Sequence, residues 1–296
     1  CFYSRCADYR MTLRLPETYT VISSGDEVQN ADGTWTLTAE NMRDFAVIAG
    51  NACDVLTADA GDVTVRSWFC SARDEDRAAG ELCLQAAVDA VNTYTEKWGA
   101  YPYGTLDVVQ AYYNYGGMEY PGMVRISDSY ASDLDSEREA LKLDVAHEVA
   151  HQWFYAAVGN DQYRQAWLDE SFAVLGELTY QAHLGASEEE LSARVDELAA
   201  ADVPERYIDL SYDQYASEQT GGTDYVNAVY RRGPAFLWRL RAAMGADRFD
   251  AFLHDWYTGH QFAEVTTADF RAALKSAAGE NADVAALVEE YLSPMG

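Results

Sequence analysis

The fold of this chain is constrained most by the segment His147-Glu148-Val149-Ala150-His151, which is followed after eighteen further residues by Glu170. In an α-helix, residues four apart lie only about 40° apart around the axis, so both histidines can direct a ring nitrogen at one ion. An apolar stripe of helical spacing predicts that this helix packs against a core; its members are Leu141, Val145, Val149, Trp153 and Phe154. A second helix is predicted from about Trp167, and a fold that runs the two helices antiparallel would bring Glu170 opposite the histidines.

Two imidazoles and one carboxylate form the ligand set of a catalytic zinc ion, because they leave one tetrahedral position open. We therefore predict that His147, His151 and Glu170 hold one zinc ion per chain. Glu148 projects about 100° around the helix from His147, so it lies beside the ion instead of binding it. Zinc lowers the pKa of bound water to about 7, so a carboxylate in this place can take the proton of the water as a general base.

These motifs resemble those of a known family, the zinc aminopeptidases of the aminopeptidase-N type. Members read HExxHxWF and then WLNEGFA, and this chain reads HEVAHQWF from His147 and WLDESFA from Trp167. Upstream, Gly116 begins GGMEY where the family has GxMEN. Downstream, Tyr230 begins Tyr-Arg-Arg-Gly where the family has Tyr-x-Lys-Gly. Four signatures in the family's order over residues 116–233 carry the resemblance.

The resemblance implies roles for the matching residues. The family's loop glutamate holds the free amino terminus of a peptide, which implies this role for Glu119, with Gly116, Gly117 and Met118 as further substrate-binding residues. Glycines in such a loop allow its backbone to approach an extended peptide closely. The family's tyrosine stabilises the tetrahedral intermediate, which implies that Tyr230 is an oxyanion donor.

Several positions depart from the family's pattern and indicate a divergent, bacterial-looking branch. Tyr120, Asp169 and Arg232 each replace an asparagine or a lysine of the family motifs, and the segment 155–165 differs from common members. None of these departures removes a metal ligand, the general base or the oxyanion donor. We therefore expect the reaction class to be retained, while the preferred first residue of the substrate is left open.

Composition narrows the classes of partner. The chain carries 49 acidic and 21 basic residues, a formal net charge of −28, which disfavours nucleic acids and anionic membrane surfaces because both would repel it. No run of eighteen or more apolar residues occurs, so we expect no membrane span in this chain. Among five cysteines, a disulfide such as Cys53–Cys70 or Cys1–Cys6 and ordinary buried thiols remain alternatives. The compartment stays open, with a lean towards the bacterial cell envelope or secretion.

The order of predicted elements runs from strands to helices. Alternating apolar and polar residues predict strands at 11–15, 35–38 and 63–69. The charged stretch Asp74–Arg77 then reads as a hinge before a helix over 78–98. Later predicted elements are strands at 106–112 and 123–126 and helices at 136–157, 166–184, 187–201, 226–244, 246–258, 266–277 and 283–292.

We therefore expect an α+β chain, with a partial antiparallel β domain over residues 1–76 and a mostly α-helical domain over residues 77–296. The resemblance implies that the second domain has a thermolysin-like fold and that the first is the back part of a larger β domain. The predicted function is zinc-dependent removal of amino-terminal residues from peptides with a free amino terminus. Two alternatives remain, an endopeptidase or oligopeptidase of the same zinc class and an inactive zinc-bearing binding domain.

Overall fold

The structure is a computed structural model that describes residues 3–70, 73–203, 207–215 and 222–294. The chain divides into two compact units. The first contains Ser4–Thr95 and Ala100–Ala156, and the second contains the residues from Ala157 onward together with Glu96–Gly99. These units divide the chain differently from the predicted domains, and the predicted domain boundary after residue 76 stays a prediction.

The strands of the described residues all belong to the first unit. In chain order they are β1 Ala7–Arg14, β2 Tyr19–Ser23, β3 Asp26–Gln29, β4 Thr34–Met42, β5 Val47–Asn51, β6 Asp54–Ala60, β7 Val63–Phe69, β8 Thr105–Ala111, β9 Gly117–Met118 and β10 Met123–Ser127. They form three sheets with the orders β1-β4-β3, β2-β5 and β6-β7-β8-β10-β9. The first two sheets are antiparallel, as the sequence pattern predicts for this part of the chain.

The five-stranded sheet is mixed. Strand β7 pairs in parallel with β8, and β8 pairs in parallel with β10, so the early strands join the later ones in one sheet. Strand β8 is buried over Leu106–Gln110, as expected for a central strand covered on both faces. At one edge β9 pairs antiparallel with β10, and Met118 lies opposite Arg125. Because β9 consists of Gly117 and Met118, this sheet fixes the backbone of the GGMEY loop.

Helix α1 spans Asp74–Trp98 and begins before the predicted position. The predicted hinge at Asp74–Arg77 is wrong, because these residues form the first turn of the helix. Acidic side chains in a first turn stabilise the positive end of the helix dipole, and Asp74, Glu75 and Asp76 provide them. Asp76 also pairs with Arg73 at 2.5 Å, which ties the start of the helix to the preceding residue.

Helix α2 spans Leu134–Ala150 and packs against β9 and β10. The predicted extension to residue 157 is wrong, although the apolar spacing continues to Phe154. After Ala150 the chain makes irregular turns, in which Gln152 N–H donates to Val149 O and Ala156 N–H donates to His151 O. Tyr155 has a φ of +144°, a value that excludes it from a right-handed helix.

The second unit is built from helices. They are α3 Trp167–His183, α4 Glu188–Ala199, α5 Tyr212–Tyr215, α6 Thr223–Val226, α7 Gly233–Met244, α8 Ala246–Gly259, α9 Thr267–Ala278 and α10 Ala282–Tyr291. Helix α7 lies at the centre and packs against α3, α4, α8 and α10. The single helix predicted over 226–244 is wrong, since a π-helix over Asn227–Arg232 separates α6 from α7. Within the described ranges, no helix combines the length and the apolar character needed to cross a membrane.

One of the two cysteine alternatives is resolved in the first unit. Cys53 and Cys70 form a disulfide that joins the start of β6 to the residue after β7. Cys83 is a buried thiol, and burial raises its pKa to about 12. The alternative pairing Cys1–Cys6 involves a residue outside the described ranges.

The predicted α+β class is confirmed, with strands preceding a mostly helical part.

The disulfide should stabilise the first unit by closing a loop with a sequence separation of 17 residues. Chain-entropy arguments give about 3 kcal/mol for a loop of about 15 residues. We expect the double variant Cys53→Ala/Cys70→Ala to lose stability on this scale in urea unfolding. A reductant should lower the stability of the unmutated protein and leave that of the double variant unchanged. An unmutated protein that is insensitive to the reductant would contradict the assignment.

Candidate active site

The two histidines of the motif face each other in the first unit. His147 lies in the last turn of α2 and His151 follows the helix, with their Nε2 atoms 3.3 Å apart. Two Nε2 ligands on one tetrahedral zinc ion, each at about 2.0–2.1 Å, would be separated by roughly 3.3–3.4 Å. The observed separation therefore fits two ligands of a single zinc ion.

A backbone carbonyl orients the second histidine. His151 is 1% exposed, and its Nδ1 atom lies 3.1 Å from Phe154 O. When Nδ1 carries the proton and donates to this carbonyl, Nε2 keeps its lone pair and points towards His147. This arrangement, a ring N–H bonded to a backbone oxygen, is typical of histidines that bind metal ions.

Glu148 and the GGMEY loop lie in close contact. A Cβ atom added to Gly117 would come within 2.6 Å of Glu148 Cδ, so a larger residue here would displace the carboxylate that glycine allows the loop to approach. Glu119 is 7% exposed. A carboxylate oxygen of Glu119, a carboxylate oxygen of Glu148 and a ring nitrogen of His151 all lie within 4.8 Å of one another. The first unit thus brings together the predicted general base, the predicted amine-binding residue and a predicted ligand.

Two residues that the sequence motifs do not include support this arrangement. Tyr130 donates a hydrogen bond to Asp144, and burial together with this bond raises the pKa of Tyr130. Asp144 lies against Gly116, whose carbonyl accepts a bond of 2.9 Å from Ser127 N–H. Asp144 lies three residues before His147 on the same helix, and this spacing places the two side chains on one face.

The same loop contacts Tyr113, which lies upstream of it. The Tyr113 hydroxyl donates to Met118 Sδ at 3.5 Å, and its ring lies under the guanidinium of Arg125. The pKa of Tyr113 is raised, mainly by burial and further by the charges of Tyr120, Glu119 and Glu148. Tyr113 therefore stays a neutral phenol beside the two carboxylates.

The second unit carries the remaining predicted residues. Glu170 lies in the first turn of α3, and Tyr230 lies on the π-helix over Asn227–Arg232 with its side chain partly exposed. A π-helix has hydrogen bonds between residues five apart, and such helices are frequent at functional sites. The ring of Tyr230 meets the ring of Tyr225 edge to face, with centroids 5.9 Å apart.

A single hydroxyl links these two elements of the second unit. Ser171 is fully buried next to Glu170, and its Oγ atom donates to Val229 O at 2.6 Å, in the residue before Tyr230. A Cβ atom added to Gly233 would come within 2.7 Å of Ser171 Cβ, so glycine allows the π-helix to approach α3. The sequence motifs give Ser171 no role of its own, although it lies within the WLDESFA motif.

Known structures with the same fold include the M1 zinc metallopeptidase of Deinococcus radiodurans. It is 20% identical to this chain, with a TM-score of 0.70 over 97% of this chain and 64% of that chain. At this identity the likeness concerns the fold, which is the two-part α+β fold expected from the motifs.

Curated relatives match nearly the whole chain. Aminopeptidase N of Streptomyces lividans is 23% identical over 291 residues, which are 93% of this chain and 34% of that protein. Leucine aminopeptidase 2 of Aspergillus terreus is 24% identical over 298 residues, which are 96% of this chain and 46% of that protein. The chain therefore spans less than half the length of these relatives.

A family model covers the part of the chain that holds the motifs. The model described as the peptidase family M1 domain matches residues 83–291, well over half of the sequence. This range includes the GGMEY loop, the histidine motif, Glu170 and Tyr230, and it confirms the resemblance to the aminopeptidase-N type. The chain belongs to peptidase family M1.

Proposed function

We propose that this chain is the catalytic part of a zinc-dependent aminopeptidase that removes amino-terminal residues from peptides. The observation that carries the proposal is the close approach of Glu119 to Glu148 and His151 in the first unit. A carboxylate for amine recognition beside the general base brings the first peptide bond of a bound substrate to the reacting groups. An enzyme that cuts within chains has no need of such a carboxylate.

The ligand set that we propose for one zinc ion is His147, His151 and Glu170. The separation of the two imidazole Nε2 atoms supports it, and so does the chemistry of two nitrogens with one carboxylate oxygen. When bound, zinc supplies Lewis acidity towards a substrate carbonyl and towards water. The other steps depend on side chains of this chain.

Glu148 acts as the general base and then as the general acid. Its carboxylate takes a proton from the attacking water and delivers it to the nitrogen of the leaving amine. Burial of this side chain beside the backbone of Gly117 excludes bulk water and supports proton transfer to the substrate rather than to solvent. The Tyr230 hydroxyl donates a hydrogen bond to the oxyanion that forms at the scissile carbonyl and keeps its proton.

Glu119 selects peptides with a free amino terminus. Two carboxylates as close as those of Glu119 and Glu148 repel each other in a buried site. A substrate ammonium beside Glu119 offsets this repulsion and forms a charge-assisted hydrogen bond. An acetylated peptide lacks the positive charge and gains neither contribution, which is the basis of exopeptidase selectivity.

We also propose that the chain works outside the reducing cytoplasm, in the cell envelope or as a secreted protein. The Cys53–Cys70 disulfide supports this location, because disulfides persist mainly in oxidising compartments.

The metal ligands and the base should respond differently to substitution. His147→Ala or Glu170→Ala should abolish binding of the single zinc ion, because each removes a ligand, while Glu148→Gln should keep the zinc. Glu148→Gln should instead lower kcat by about 10²–10⁴, the range for a general acid-base. Elemental analysis and peptide hydrolysis together check these outcomes; full zinc content in both ligand variants, or near-normal turnover by Glu148→Gln, would contradict the assignments.

Tyr230→Phe deletes one hydroxyl and keeps the ring. We expect kcat to fall by about 10²–10³, the scale for one oxyanion donor, with zinc content and folding unchanged. Tyr212→Phe is the matched control, since Tyr212 also packs against Tyr225 but has no assigned role, and it should keep normal kinetics. A rise in KM with an unchanged kcat for Tyr230→Phe would assign the hydroxyl to substrate binding instead.

Glu119→Gln should abolish the preference for free amino termini. Loss of one side of a buried charge pair costs about 2–5 kcal/mol, so kcat/KM for free peptides should fall accordingly while the low rate on acetylated peptides changes little. Glu40→Gln, which removes a charge from an exposed position on β4, is the control and should behave as the unmutated protein. Efficient internal cleavage of acetylated peptides by the unmutated protein would favour an endopeptidase.

A further inference from the structure

The backbone of Tyr155 has a conformation that its side chain disfavours. Its φ is +144°, a region that side chains with a Cβ rarely adopt and that glycine adopts freely. The residue is 1% exposed, so this conformation lies within the interior of the first unit. A strained backbone of this kind persists only where the surrounding structure holds it in place.

Two consecutive residues that follow β4 hold Tyr155 at both of its polar ends. Arg43 Nε donates to Tyr155 O at 2.8 Å, and the Tyr155 hydroxyl donates to Asp44. Arg43 is itself 1% exposed and donates to Ser4 O at 2.7 Å, while Ser4 Oγ donates to Asp44 at 2.9 Å. We call Arg43 and Asp44 the clamp, because together they fix the carbonyl and the hydroxyl of Tyr155.

The clamp determines where the preceding carbonyl points. The φ angle of Tyr155 is a rotation about its N–Cα bond, and it sets the orientation of the peptide plane that joins Phe154 to Tyr155. That plane carries Phe154 O, which lies 3.1 Å from His151 Nδ1. With the other end of Tyr155 fixed, relaxation to a negative φ would rotate this plane and move the acceptor away from the imidazole.

The side chain of Tyr155 reaches the same histidine directly. Its ring meets the imidazole of His151 edge to face, with ring centroids 6.3 Å apart. The hydrogen bond from the Tyr155 hydroxyl to Asp44 therefore fixes the tyrosine ring beside His151 and helps to fix the backbone of Tyr155 itself. The two contacts make Tyr155 the link between the loop after β4 and a proposed metal ligand.

We propose that Tyr155 is a positioning residue for the metal site, held by the clamp so that Phe154 O keeps His151 Nε2 directed at the ion. The proposal rests on the proposed function only in that His151 binds zinc. It assigns the residues after β4 a part in metal affinity, although they lie more than 100 positions before the histidine motif.

Zinc affinity tests the proposal without reference to turnover. Tyr155→Phe keeps the ring and deletes the hydroxyl that binds Asp44, and Asp44→Ala deletes the acceptor. Each should raise the Kd for zinc, measured by competition with a chelator, by about 10-fold or more, since loss of an outer hydrogen-bond partner of a metal ligand costs about 10–100-fold. Because both variants break the same bond, the double variant should bind zinc about as weakly as either single variant.

A spectroscopic readout and a matched control separate positioning from general stability. The cobalt-substituted forms of Tyr155→Phe and Asp44→Ala should show altered visible absorption, because the ligand geometry changes at the ion. Tyr101→Phe deletes the hydroxyl of another buried tyrosine of the first unit, which donates to Thr105 O at 3.2 Å, and should leave Kd and spectrum unchanged. Thermal unfolding of every variant reports any loss of stability separately.

The outcomes distinguish this inference from the proposed function. Zinc binding by the unmutated protein with an unchanged Kd and cobalt spectrum in Tyr155→Phe would overturn the positioning role alone. Absence of zinc binding by the unmutated protein would overturn the proposed function together with it. If Tyr155→Phe does not fold, an unchanged Kd and spectrum in Asp44→Ala overturns the inference, and weakened binding with altered absorption supports it.

Discussion

The separation of 3.3 Å between the Nε2 atoms of His147 and His151 is the constraint on which the rest of the site depends. Helical spacing places the two side chains on one face but does not fix the rotation of either ring. For His151 that rotation is set by the carbonyl of Phe154, in a turn where the helix has already ended. The two proposed histidine ligands therefore depend on the end of α2 as much as on the helix itself.

The parts of the site that the sequence predicts are those encoded over short distances. Periodicity predicts a helix that carries the histidines, and the positions of Glu148 and Glu119 follow from motifs of five residues each. The GGMEY loop lies beside the proposed general base because β9 and α2 both contact β10. Strand assignments for β7 and β8 also follow from local patterns, whereas their parallel pairing does not.

The features that the sequence does not predict depend on contacts between distant residues. Apolar spacing continues past Ala150, yet the helix ends there, and Arg43 binds the following turn from 112 positions away. Likewise, no local signal in 226–244 predicts the π-helix before α7. Ser171 supplies a donor to Val229 O across 58 positions and is buried against Gly233. Family motifs thus predict the reacting groups, and contacts between residues that are distant in the chain fix their geometry.

Anomalous scattering at the zinc absorption edge from crystals of the zinc-loaded protein would locate the metal ion. We predict one peak per chain, bonded to Nε2 of His147 and of His151 and to the carboxylate of Glu170. Glu119 and Glu148 should remain outside the bonding distance of the ion, as amine-binding residue and general base. A peak bound by Glu119, Glu148 and His151, whose ligand atoms also lie within 4.8 Å of one another, would contradict this ligand assignment.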